Sequence, residues 1–278
     1  MVSQSPHHHL DNFLALLAQQ PAVLVQVEAA QGSVPRDAGT WMAVFAGKLV
    51  GTIGGGQLEH EAMAKARTLL ERQTLPKEPE VMRFALGPSL GQCCGGVAHL
   101  RFEPVQAQNA AALRARLQTA FTPVVLFGGG HVGHALVRVL SPLPFALIWI
   151  DSREGVFPND VPAHVHCEQS DPVQAAVHTL PPQSRVLIMS FSHAEDLQVL
   201  AMCLLRQRSK ADLPYIGLIG SHTKWATFQR RLLARGFTPD ELAHVTSPIG
   251  VPGISGKEPD VIAIAVAAQL LQSLPTQP

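Results

Sequence analysis

Apolar and polar positions recur along this chain with two periods, and each region mixes them differently. Leu10–Gln19 carries a helical spacing, and Ala22–Ala30 follows as a Val-rich extended run. Trp41–Phe45 and Lys48–Ile53 form two short extended segments around the turn Ala46-Gly47. Gln57–Arg72 returns to helical periodicity, with Leu58, Ala62, Ala66 and Leu69 on one face. Val97–Glu103 is a further strand. Helix and strand without regular alternation predict a small α+β domain over residues 1–105.

Asn109–Thr119 is rich in Ala and Arg and reads as a helix, either within a linker spanning 106–120 or opening the next domain. From 121 to 278 the pattern becomes regular. Apolar runs at Pro123–Phe127, Ala146–Ile150, Val165–Cys167, Arg185–Ser190 and Tyr215–Ile219 are strands. Helical stretches at Val132–Leu140, Pro172–Thr179, Ala194–Arg208, Thr223–Arg235 and Pro259–Leu274 separate or follow them. Continuous apolar strands alternating with helices predict a parallel sheet covered on both faces. The fold class is therefore α/β, a small α+β domain followed by a Rossmann-like one.

Composition narrows the function. Hydrophobic residues make up 46% of the 278, charged residues 15%, and the formal net charge is zero. That balance argues against a nucleic-acid partner, which needs a basic footprint. The apolar helix Val261–Leu274 is interrupted by Gln269 and Gln272 and is too short for a bilayer, so no membrane association is expected. No basic segment followed by an apolar run opens the chain, which predicts no signal peptide. Cys93, Cys94, Cys167 and Cys203 fit neither a disulfide framework nor a zinc ribbon. A reducing, cytoplasmic compartment follows.

Cys93 and Cys94 are adjacent, in Gly91-Gln92-Cys93-Cys94-Gly95-Gly96. Adjacent cysteines suit disulfide geometry poorly. Thiols bared by neighbouring glycines suit a soft metal centre or sulfur chemistry, whereas a lone cysteine would be read as a small core residue.

Three further loops are rich in glycine. Val124–Phe127 leads into Gly128, Gly130, His131 and Gly133, a G-x-G-x-x-G between strand and helix, and Asp151 closes the next strand. That layout suits a dinucleotide, with backbone amides for phosphate and a carboxylate for ribose hydroxyls, although tight strand-to-helix packing needs the same glycines. Gly51-Thr52-Ile53-Gly54-Gly55-Gly56 runs into the helix that starts at Gln57, with Glu59 in its first turn. Its amides suit a phosphate, and Glu59 either favours the helix dipole or meets the ligand. Gly217-Leu218-Ile219-Gly220-Ser221 follows another parallel strand. His193, after the strand ending at Ser190, is the best acid–base candidate.

Taken together these segments resemble the XdhC/CoxI family of accessory proteins for xanthine dehydrogenase and related molybdenum hydroxylases. The resemblance rests on Gly32-Ser33-Val34-Pro35-Arg36, Gly51–Gly56 with Leu58 and Glu59, and the Cys93-Cys94 segment. In the second half it rests on Gly128–Val132, Ser192-His193-Ala194 with Asp196, Tyr215–Ser221 with Lys224, and Ser247–Gly250. The resemblance implies a chaperone that binds molybdenum cofactor (molybdopterin), assists its sulfuration by a cysteine desulfurase, and hands it to the hydroxylase large subunit. It also extends to a homodimer. Cys93 and Cys94 would face the metal, Arg36 would raise their thiolate fraction, and Gly54, Gly55, Gly56, Gln57 and Glu59 would meet the phosphate end. Gly128, Gly130, His131, Gly133, Asp151 and His193 would serve a nucleotide or part of the cofactor, unless this domain offers a partner surface instead. The rival from the residues alone is an NAD(P)-dependent oxidoreductase using the Gly128 loop, Asp151 and His193. A protein–protein scaffold with purely structural glycines is the third reading.

Overall fold

The computed structural model describes residues 6–72, 78–86, 95–118 and 121–274. Cys93 and Cys94 lie outside the described residues. The chain divides into two compact units, 1–119 and 120–278.

The first unit is built on a five-stranded antiparallel sheet. Its elements are α1 (Pro6–Leu17), β1 (Ala22–Gln31), β2 (Trp41–Val44), β3 (Leu49–Gly51), α2 (Gly56–Leu70), β4 (Glu80–Ala85), β5 (Val97–Val105) and α3 (Ala110–Leu117). The strand order is β3-β2-β1-β5-β4. Alternation along β1 sends Val23, Val25 and Val27 to one face and Ala22 and Leu24 to the other. The first face is covered by α2 through Leu58, Ala62, Ala66 and Leu69, the face read from the sequence. The second is covered by Phe13, Leu14 and Leu17 of α1 with Leu113 and Leu117 of α3. The helix read near residues 109–119 thus packs as part of the first unit.

The second unit carries a six-stranded parallel sheet. Its elements are β6 (Thr122–Phe127), α4 (His131–Leu140), β7 (Phe145–Asp151), β8 (His166–Gln169), β9 (Arg185–Ile188), α5 (His193–Lys210), β10 (Tyr215–Leu218), α6 (His222–Ala234), α7 (Pro239–Ala243), β11 (Val245–Thr246) and α8 (Pro259–Gln272). The order β11-β10-β9-β6-β7-β8 is that of a dinucleotide-binding Rossmann sheet, with the chain reversing direction across the sheet between β6 and β9. Val125 and Phe127 point to the face covered by α5, α6 and α7, and Val124 and Leu126 to the face covered by α4 and α8. The stretch read as a helix at Pro172–Thr179 forms a 3-10 run, Val173–His178, instead. The sequence reading places no strand at β4 or β11.

Candidate functional site

In the first unit, three separated segments meet at one end of the sheet. Gln31 ends β1 opposite Val97, which opens β5. The loop Gly32–Arg36 leaves from this point, and Gly95-Gly96 arrives at it. A Cβ on Gly96 would stand 2.4 Å from the Ser33 carbonyl oxygen and 2.6 Å from that of Gln31. Only glycine allows the two backbones to approach so closely. Gly51 ends β3 at the same end of the sheet, paired with Met42. The loop that follows packs on the first: a Cβ on Gly54 would lie 2.5 Å from Pro35 Cβ and 3.2 Å from Arg36 Cγ. The backbone that directly follows Cys94 therefore sits beside the Ser33 loop, and Arg36 is exposed next to the glycine loop.

Inside that loop the chain supplies its own anion. Glu59 Oε2 accepts from the Thr52 hydroxyl at 2.5 Å, the Ile53 amide at 3.0 Å and the Gly55 amide at 3.1 Å. The amide nest expected to hold a phosphate is thus engaged by Glu59 from the first turn of α2. Glu59 organises the loop, and its bonded oxygen faces inward. The open face of the loop is at Gly55, where an added Cβ would meet nothing within 4 Å. Gly55 is also the N-cap of α2 and caps it with no side chain. Gly56 and Gln57, next along, are exposed.

In the second unit the three fingerprint glycines have different causes. A Cβ on Gly128 would meet the Met189 carbonyl oxygen, and one on Gly133 the Gly128 carbonyl oxygen at 2.2 Å. Both are packing requirements, reinforced by Trp149, whose buried indole N–H donates to Gly128 O at 2.9 Å. Gly130 has neither cause. Its φ of −84° suits any residue, and nothing lies within 4 Å of an added Cβ. His131 opens α4 and is exposed.

Asp151 closes β7 at the expected place, yet its carboxylate is turned inward. Oδ2 accepts from the Gly129 amide at 2.6 Å and from Arg153 Nη2 at 2.9 Å. Oδ1 accepts from the Arg153 amide and Nε, each at 2.9 Å. Burial pushes the carboxyl up, but the hydrogen bonds from Arg153 and Gly129 outweigh it and hold it below its ordinary value. The ribose-binding role expected of Asp151 does not fit a carboxylate whose acceptor positions are filled.

His193 begins α5 after the N-cap Ser192 and is exposed, its ring edge-on to Phe228 at 6.3 Å between centroids. Sequence reasoning missed what lies beneath it. Lys224 Nζ donates to Asp196 Oδ2 at 2.6 Å and to Ile219 O at 2.7 Å, while Asp196 Oδ1 accepts the Ser190 amide at 2.7 Å. This pair, 9% and 2% exposed, ties together the ends of β9 and β10. The two thiols in the described residues, Cys167 and Cys203, are free. Burial raises the pKa of both, that of the fully buried Cys203 to about 12, which leaves Cys203 a structural thiol. Among the described residues no cluster of three or more His, Cys, Asp or Glu side chains could hold a metal ion. No described helix is long and apolar enough to cross a membrane.

Residues 124–270 match the family model described as the XdhC Rossmann domain, and residues 15–84 match that of the XdhC and CoxI family. A crystal structure described as a xanthine dehydrogenase from Bacillus halodurans is similar in fold, with a TM-score of 0.78 at 23% identity, over 97% of this chain and 96% of that one. The uncharacterized protein YqeB of Escherichia coli K12 is 25% identical over 257 residues, which cover 91% of this chain and 43% of that protein. The chain thus spans less than half the length of that relative.

Proposed function

The chain belongs to the XdhC and CoxI family, and from that premise we propose that it is a maturation factor for xanthine dehydrogenase or a related molybdenum hydroxylase. In this reading it is an accessory protein of the cytoplasm, not the hydroxylase. Molybdenum cofactor is its cargo, a cysteine desulfurase supplies the sulfur that matures the cargo, and the hydroxylase large subunit receives it. A homodimer is part of the same reading.

The observation that carries it is the meeting of Gly32–Arg36, Gly51–Glu59 and Gly95-Gly96 at one end of the first unit's sheet. The cargo has a soft metal held by sulfur at one end and a phosphate at the other. Thiolates suit the metal, and Cys93-Cys94 directly precede the Gly95-Gly96 backbone fixed beside Ser33. The exposed Arg36 and the open face at Gly55 suit the phosphate. Glu59 shapes the loop from inside and stays clear of the cargo. In the second unit Gly130, which the chain itself leaves uncovered, supports close approach of a nucleotide phosphate to the backbone.

Anaerobic titration with purified molybdenum cofactor tests this. The double variant Cys93→Ala/Cys94→Ala is expected to keep its circular dichroism and melting temperature and to bind cofactor at least about tenfold more weakly. A folded double variant with undiminished affinity removes the thiols from the site. A double variant that fails to fold makes them core residues.

A further inference from the structure

Where a dinucleotide fold offers a carboxylate to the ribose hydroxyls, this chain offers a cation on an aromatic face. A carboxylate has about four lone-pair positions. Those of Asp151 receive the amides of Gly129 and Arg153 and two guanidinium N–H groups of Arg153, and its side chain is 1% exposed. A ribose diol arriving at the end of β7 finds no free acceptor on Asp151. Arg153 is differently placed. Its side chain is 37% exposed, and its guanidinium carbon lies 4.5 Å from the centroid of the Phe191 ring, itself 65% exposed. A guanidinium has about five N–H donors, of which Asp151 takes only part, so donors remain for a second anion. Phe191 follows β9 and Arg153 follows β7, on either side of β6 and its Gly128–Gly130 loop, at the carboxyl ends where open α/β sheets take ligands. Gly130 at the end of that loop, where α4 begins, has no packing reason to be glycine. The other carboxylate beside Arg153, Glu195, accepts from the Ser152 hydroxyl at 2.9 Å and sits in the first turn of α5, where the helix dipole offsets its charge.

We infer that Arg153, backed by Phe191, makes the second unit selective for a nucleotide bearing a phosphate on its ribose over one with a free 2′,3′-diol. The inference rests on the reading that this unit binds a nucleotide. Arg153 both covers Asp151 and cancels its charge, so the residue that would repel a ribose phosphate becomes the support of the group that binds it.

Titration calorimetry of the full chain with NADP+ and with NAD+ tests it. NADP+ is expected to bind at least about tenfold more tightly, as a charge-assisted contact to phosphate warrants. Arg153→Ala is expected to lose that preference and, by uncovering Asp151, to shift it toward NAD+. Because this variant leaves a buried carboxylate unpaired, Phe191→Ala is the second probe: it removes an exposed ring and is expected to weaken NADP+ without lowering the melting temperature. NAD+ binding as tightly as NADP+ in the unaltered protein, or a preference untouched in a folded Arg153→Ala protein, overturns the inference. Binding of neither nucleotide overturns the underlying reading together with it.

Discussion

Gly130 and Gly133 stand three residues apart in one fingerprint, and their physical reasons for being glycine are opposite. A side chain at 133 is driven into the Gly128 carbonyl oxygen, 2.2 Å from where its Cβ would stand. Gly133→Val should therefore lower stability by about 1–3 kcal/mol or more, as overpacking does. A side chain at 130 meets no protein atom within 4 Å. Gly130→Val should cost less than about 1 kcal/mol through poorer capping of α4, while nucleotide affinity falls at least about tenfold. Thermal unfolding and nucleotide titration of the two variants separate the effects. A large loss of stability in Gly130→Val would make the loop structural throughout. Sequence alone presented the three glycines as one motif, because spacing does not say which backbone lies opposite each. The same limit applied at Glu59 and Asp151. Both stood at the expected positions, but Glu59 is engaged by the nearby Thr52–Gly55 loop and Asp151 by Arg153 and the more distant Gly129 amide, through turns that no periodicity encodes.

At the scale of elements, the buried ion pair of Asp196 on α5 and Lys224 on α6 holds the loops after β9 and β10 in register with each other. Removing one partner leaves the other charge buried. Lys224→Met should destabilise the protein by about 3–5 kcal/mol. The double variant Asp196→Leu/Lys224→Met should recover part of that loss, though not all, since the Ser190 amide and Ile219 carbonyl then lose their partners. Denaturation of the full chain measures both, and a single variant as stable as the parent would show the pair to be incidental. Elements with a strong period were legible: α2 buries Leu58, Ala62, Ala66 and Leu69 as its spacing required. β4 was not, because it is a short edge strand whose inward residues, Met82 and Phe84, are only partly buried and too few to mark a clear alternation. β11 is only two residues long and too short to show alternation. Val173–His178 carried a helical apolar pattern, but that pattern does not separate an α-helix from a 3-10 run.

For the whole molecule, the two units carry two different kinds of sheet. The antiparallel unit gathers three loops at one sheet end, and the parallel unit presents a Rossmann edge with Gly130 open. The change in pattern near residue 120 reflects that a parallel sheet buried on both faces needs continuous apolar strands. The proposed carrier role requires affinity that can be released; among the described residues Asp151 is closed off, and His193 is exposed and edge-on to Phe228. The most direct measurement is anaerobic transfer. Protein loaded with molybdenum cofactor is mixed with apo-hydroxylase, and the cofactor appearing in the hydroxylase is counted against the cofactor leaving the carrier. The account predicts near-stoichiometric transfer with matching gain of hydroxylase activity, and no steady reduction of nicotinamide by the carrier alone. Cofactor that stays on the carrier, or multiple-turnover nicotinamide reduction by carrier free of hydroxylase, would contradict it.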